Sequence, residues 1–146
     1  MEYIRIYNFP ACKMASSGDF SPWGTERCRA FEAWFNTVPI TTPYTMDFLR
    51  EGDTEGSLCW MYLLSDGLDV PPEFETVDFP GGLYAVVCDI DRKTPDSTWK
   101  ERDKFLKKHG FERDFERPEF GHIVGPPEAL DYGQMDYWYP IRKKDS

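Results

Sequence analysis

At 146 residues the chain is long enough for one domain with a sizeable core and leaves no length for a second. Its 26 acidic against 17 basic residues give a formal charge of −9, which repels phosphate backbones and excludes nucleic acid as a direct partner. No apolar run approaches the roughly 18 residues that cross a bilayer, and four scattered cysteines without CxxC pairs or a secretory leader point to reduced thiols in a cytoplasmic protein.

The first predicted strand covers Glu2 to Tyr7, and after Phe9-Pro10 an extended run from Cys12 to Ser16 continues it. Ser21-Pro22 supplies an N-cap and first-turn proline, and Cys28, Phe31, Trp34, Phe35 and Val38 form the stripe of an amphipathic helix that Pro39 stops. Tyr44 to Leu49 alternates as a strand, and Leu58 to Leu64 reads as a largely buried one. The second half repeats this order. Gly82 to Asp89 is a strand, Thr94-Pro95 a helix start before Trp99, Phe105 and Leu106, and Gly110 the helix end. Phe120 to Val124 and Met135 to Ile141 are its last strands, flanking the Gly125-Pro126-Pro127 loop.

Phe9-Pro10 with Ala15 recurs as Phe79-Pro80 with Ala85, an offset of 70 residues in the 146-residue chain. Together with the recurring helix starts this predicts a duplication, with halves of about 1–70 and 71–146, each β–α–β–β. The proline bars pairing on one side, and Ala11 or Gly81-Gly82 allows a bulge or a close approach to the backbone. The expected architecture is α+β: tandem β–α–β–β repeats forming a curved antiparallel sheet with two helices and a central cleft.

Pro80, Gly82, Tyr84, Ala85 and Val86, with the closing strand from Asp136 to Ile141, resemble the GyrI-like effector-binding domain. That ligand-sensing module occurs at the C-terminus of AraC- and MerR-type regulators and as stand-alone proteins. The resemblance spans the whole chain. It implies an aromatic pocket for flat lipophilic cations, with an acidic residue facing the positive charge. The closing-strand acid is Asp136 where the family has Glu, and Leu58-Cys59-Trp60-Met61 stands where members often carry Tyr-Gly-Tyr-Glu.

The aromatic share, 16% with five Trp and eight Tyr, exceeds the needs of a core this size. Period-two alternation puts Asp136, Trp138 and Pro140 on one face of the last strand, a carboxylate beside an indole, which attracts a planar cation by charge and by cation–π contact. The competing reading is a hydrated edge carboxylate. Trp60 and Tyr62 are the expected first-half counterparts or else core residues, Tyr84 is a hydroxyl donor after the glycine bend, and Phe48 and Phe120 complete the set. His109 and His122 lack metal-ligand spacing, and no nucleophile elbow, phosphate loop or zinc motif occurs, so no metal, cofactor or catalytic residue is expected.

These observations predict a small-molecule-binding protein, a sensor or sequestering module for a planar lipophilic compound, cationic or neutral. A separately encoded regulator is the protein partner this allows. The alternatives are a hydrolase of hydrophobic electrophiles, with Asp136 and Tyr62 or Tyr84 as acid–base partners, and an inhibitor module that binds a protein.

Overall fold

The two Phe-Pro segments are where the chain passes from one compact unit to another. The computed structural model describes residues 3–21, 25–39, 46–125 and 127–145. In chain order they form β1 (Arg5–Phe9), β2 (Cys12–Phe20), α1 (Glu26–Phe35), β3 (Asp47–Glu51), β4 (Leu58–Leu63) and β5 (Glu75–Phe79). There follow β6 (Gly82–Ile90), α2 (Ser97–Lys108), β7 (Phe111–Arg113), β8 (Phe120–Gly125), α3 (Pro127–Leu130) and β9 (Gln134–Lys143). The inserted unit is residues 11–80, and the split unit joins residues 1–10 to 81–146.

The inserted unit runs β–α–β–β with one further strand, β5, and the split unit follows the same order in β6, α2, β8 and β9 with β1, β7 and α3 added. The inserted unit pairs its strands antiparallel in the order β3-β4-β2-β5. The split unit pairs β1-β6-β9-β8, also antiparallel, and the short β7 lies against the end of β9. The strand before each Phe-Pro joins the unit that the strand after it does not: β1 pairs with β6, and β5 with β2. Proline, which has no N–H for a ladder, sits at both crossings. The fold is α+β with antiparallel pairing, as expected.

The expected α1 stripe is present, with Cys28, Phe31 and Phe35 buried, but the helix differs at both ends. Thr25 is the N-cap residue, Pro22 lies outside the described residues as Tyr44 does, and the last helical residue is Phe35, so Val38 follows the helix. In α2 the N-cap is Asp96. The Thr94 hydroxyl instead bonds the Ile90 backbone, accepting its N–H at 2.6 Å and donating to its carbonyl at 3.1 Å, and so closes a turn. Gly110 ends α2 at φ +77°, the left-handed residue its sequence position predicts. β5, β7 and α3 are additional elements. β5 lacks an apolar alternation because four of its five residues are exposed or half-exposed, and β7 has only 3 residues.

Each helix covers one face of its unit's strands. Under α1 the core is aromatic: Phe20, Phe31, Phe35, Trp60, Tyr62 and Phe74 are all buried, with Trp34 against them. Phe31 meets Phe74 edge-on at 5.0 Å, and Phe35 stacks on Tyr62 at 5.5 Å. Under α2 the buried core is aliphatic, built from Ile4, Ala85, Val87, Leu106 and Ile141. At its margin the Arg102 guanidinium lies 3.8 Å from the centre of the Tyr139 ring.

Candidate functional site

Cross-strand register decides which side chains share a face, because directly opposed residues point the same way. In the split unit Trp138 stands opposite Val86 and Phe120, and Asp136 opposite Cys88 and His122. Tyr7 is opposite Tyr84, and Tyr84 in turn is opposite Pro140. Asp136, Trp138, Tyr84 and Phe120 therefore occupy one face, and Ala85, Val87 and Ile141 turn to the other, toward α2.

The aromatic rings of this face form a continuous set. Trp138 lies 5.3 Å from Tyr7, 5.6 Å from Phe9 and 5.9 Å from Tyr84, and Tyr84 stacks on Phe120 at 5.9 Å. Burial grades along the set. Tyr84 at 0%, Phe120 at 1% and Phe9 at 6% are shut off from solvent, whereas Tyr7 is 40% exposed. Trp138 and Asp136 are half-buried, and Cys88 is exposed. The accessible edge thus carries a carboxylate, an indole and a phenol, held from behind by buried rings. Burial, then the nearby Asp136 and Asp89 carboxylates, pushes the Cys88 thiol above its ordinary pKa, which keeps it protonated and a poor nucleophile.

Tyr84 does not have the role its sequence position suggests. Its hydroxyl donates to the Pro118 carbonyl at 3.0 Å, so the donor expected to meet a ligand is engaged within the protein. Burial pushes its pKa far above that of an ordinary phenol, although the Arg117 guanidinium pulls the other way. Its ring, not its hydroxyl, joins Trp138, Phe120 and Phe9 on this face.

In the inserted unit the placement is different. Trp60 and Tyr62, opposite Leu49 and Asp47, sit in the core beneath α1 at 5% and 8% exposure. The position equivalent to Trp138 on β9 is occupied on β4 by the Cys59 and Met61 side, because the alternation runs one residue out of step between the two strands. Phe48 stands opposite Met61 on the face away from α1 and is buried. The Cys59 thiol contacts Met61 Sδ at 3.6 Å and the Ser16 hydroxyl at 3.2 Å. A shallow groove of about 420 Å³ bounded by Ala11, Lys13, Asp78 and Pro80 contains none of the candidate ligand-binding residues.

Two buried ionic groups escape a sequence reading. Asp47, 7% exposed, accepts the Trp60 indole N–H at 2.9 Å; its only signal is an acid between Met46 and Phe48 in an otherwise apolar strand. Arg117, also 7% exposed, donates to Asp114 at 2.9 Å, to the Leu83 carbonyl at 3.0 Å and to the Ile141 carbonyl at 2.6 Å, and its carbon lies 4.8 Å from the Tyr84 ring centre. Burial alone would raise the pKa of Asp114, but the Glu116 N–H and Arg117 outweigh it and hold the carboxyl below its usual range. A Cβ at Gly82, where φ is +131°, would come within 2.6 Å of that guanidinium. The glycine pair does permit a close approach, and what approaches is Arg117.

No family model matches the chain, and no curated protein matches it. Solved structures do. A hydrolase from Listeria innocua superposes with a TM-score of 0.66 at 13% identity, covering 95% of this chain and 91% of that one. An uncharacterized conserved protein from the same organism gives 0.65 at 12%, covering 95% and 92%. The structure of SAV2435 bound to tetraphenylphosphonium gives 0.58 at 8%, covering 95% and 93%. These likenesses show the fold. At such identities the residues of the site have to be argued from this chain.

Proposed function

We propose that this chain is a GyrI-like small-molecule-binding protein, a sensor or sequestering module, that takes a planar lipophilic cation on the aromatic face of the split unit. Trp138 and Tyr7 stack on the ligand, Asp136 supplies the opposing charge, and Tyr84 and Phe120 hold the indole from behind. The observation that carries this reading is the half-buried Asp136 two residues from Trp138, on a face whose other rings contact that indole at 5.3–5.9 Å. A cation over an indole gains about 0.5–2 kcal/mol, and a carboxylate at contact distance adds on the order of 1–4 kcal/mol. One similar structure carries tetraphenylphosphonium, a lipophilic aromatic cation that is tetrahedral as a whole but presents flat phenyl rings to an indole. Trp60 and Tyr62 are assigned to the core beneath α1, and Phe48 to the buried face away from it.

Calorimetric titration with tetraphenylphosphonium and with neutral triphenylphosphine oxide tests the assignment. Asp136→Asn is expected to weaken the cation about tenfold and leave the neutral compound unchanged, and Trp138→Ala to weaken both. Failure of the wild-type protein to bind either compound, or equal losses for both in Asp136→Asn, overturns it.

A second reading is catalytic and draws on the hydrolase name of one similar structure. Asp136 would then serve as the acid–base group for a hydrophobic electrophile, with the Tyr84 hydroxyl excluded by its bond to Pro118. Multiple turnovers of such a substrate, lost in Asp136→Asn while binding persists, distinguish it from stoichiometric capture.

A further inference from the structure

The cross-strand row that holds Trp138 does not end at β6. Arg5 on β1 stands opposite Val86, and Val86 opposite Trp138, so the guanidinium belongs to the same face as the indole, two strand spacings or about 10 Å away. Arg5 is exposed and donates to the Tyr7 hydroxyl at 3.4 Å, and the Tyr7 ring lies 5.3 Å from that of Trp138. The indole therefore has a carboxylate on one side, Asp136 on its own strand, and on the other a guanidinium joined to a phenol. Two further guanidiniums border this face and are placed differently. Arg117 is buried against Asp114 and two carbonyls, and Arg142, further along β9, bonds Glu112.

We propose that the compound held on this face is amphoteric: a planar aromatic cation that also carries a carboxylate or an equivalent planar anion, its positive part toward Asp136 and its negative part toward Arg5 and Tyr7. This rests on the binding face assigned above and narrows the class of ligand. The two donors suit such an anion. A guanidinium presents its N–H groups in a planar fork that matches a carboxylate, and while the Tyr7 oxygen accepts from Arg5 its own O–H can donate to the same anion. The spacing selects as well. Arg5 and Asp136 lie two strands apart across the sheet and one row apart along it, roughly 12 Å between their Cα atoms. The two charges of the ligand therefore belong at opposite sides of a ring system, not on neighbouring atoms as in an amino acid. A cation with no anionic group still meets Asp136, but it meets Arg5 as a like charge, so the face discriminates against the esterified form of its own ligand.

Rhodamine B and its ethyl ester test this, because they share one planar xanthylium cation and differ in whether the pendant carboxylate is free. Fluorescence-anisotropy titration of the full chain at low salt should give an affinity for rhodamine B about threefold or more above that for the ester. The difference should shrink as salt is raised, since exposed charges at this distance are screened. Arg5→Met should bring the ratio of the two affinities to one. Arg5→Lys, which keeps the charge without the fork, should give an intermediate ratio, and Asp136→Asn should weaken both dyes while the ratio persists. Equal binding of the two dyes by the wild-type chain, or a ratio that Arg5→Met leaves unchanged, overturns this inference and leaves the binding face standing. Binding of neither dye overturns both.

Discussion

The two units use their aromatic residues on opposite faces. The inserted unit packs Phe20, Phe31, Phe35, Trp60, Tyr62 and Phe74 beneath α1. In the split unit the buried core beneath α2 is aliphatic, and Phe9, Tyr84, Phe120 and Trp138 lie on the other face. One unit therefore gathers its rings beneath its helix and the other on the face turned away from its helix. The charged groups differ in the same way. The inserted unit buries one carboxylate on one indole, and the split unit buries the Arg117–Asp114 pair that ties Leu83, Ile141 and Asp114 together.

The largest effect is expected where the split unit depends on that guanidinium. Arg117→Ala strips the donors from Asp114 and two carbonyls and should cost about 3–5 kcal/mol, as for other broken buried pairs. Gly82→Ala, which forces a Cβ into the same guanidinium at an unfavourable φ, should cost about 1–3 kcal/mol. Urea denaturation measures both, and an unchanged midpoint in Arg117→Ala would remove this distinction between the units.

An intermediate effect should separate the two indoles. Trp60→Phe leaves Asp47 without its indole donor and is expected to cost about 1–3 kcal/mol while ligand binding is retained. Trp138→Phe, at a half-buried position, should cost under about 1 kcal/mol and weaken binding. Parallel melts and titrations decide it, and the reverse pattern would exchange the roles assigned to the two units.

The smallest effect is a pH dependence. Asp19 is held low chiefly by the Thr54 N–H at 2.8 Å, and Asp114 by Glu116 and Arg117 against its burial. Both folded-state values lie below the roughly 3.9 of an unfolded aspartate, so their stabilisation is complete above that pH and is lost as pH falls through the folded values. Urea midpoints between about pH 6 and pH 2 should fall less steeply for Asp114→Asn in the split unit and Asp19→Asn in the inserted one.

Much of the fold was legible because periodicity and proline signals are local. The stripe of Cys28, Phe31 and Phe35 and the cap at Gly110 required nothing beyond nearest neighbours. The exchange of β1 and β5 did not show, since a strand before a proline carries no mark of which partner it will find 70 residues away. The grouping of Asp136 with Trp138 followed from alternation within one strand. The mismatch of Trp60 and Tyr62 arose because alternation states which residues share a face and not which face a helix will cover. Arg117 was invisible because a guanidinium in an irregular loop reads as surface until Gly82, whose missing side chain leaves it room, is seen beside it in space.

The insertion of one unit within the other also orders events at the ribosome. Residues 11–80 are contiguous and can close as soon as they emerge, but β1, translated first, has no partner until Gly82–Ile90 follow and no finished sheet until β9 near the C-terminus is made. β1 waits for its partner across the whole inserted unit, so the interval in which it is open to mispairing is set by the length of that unit.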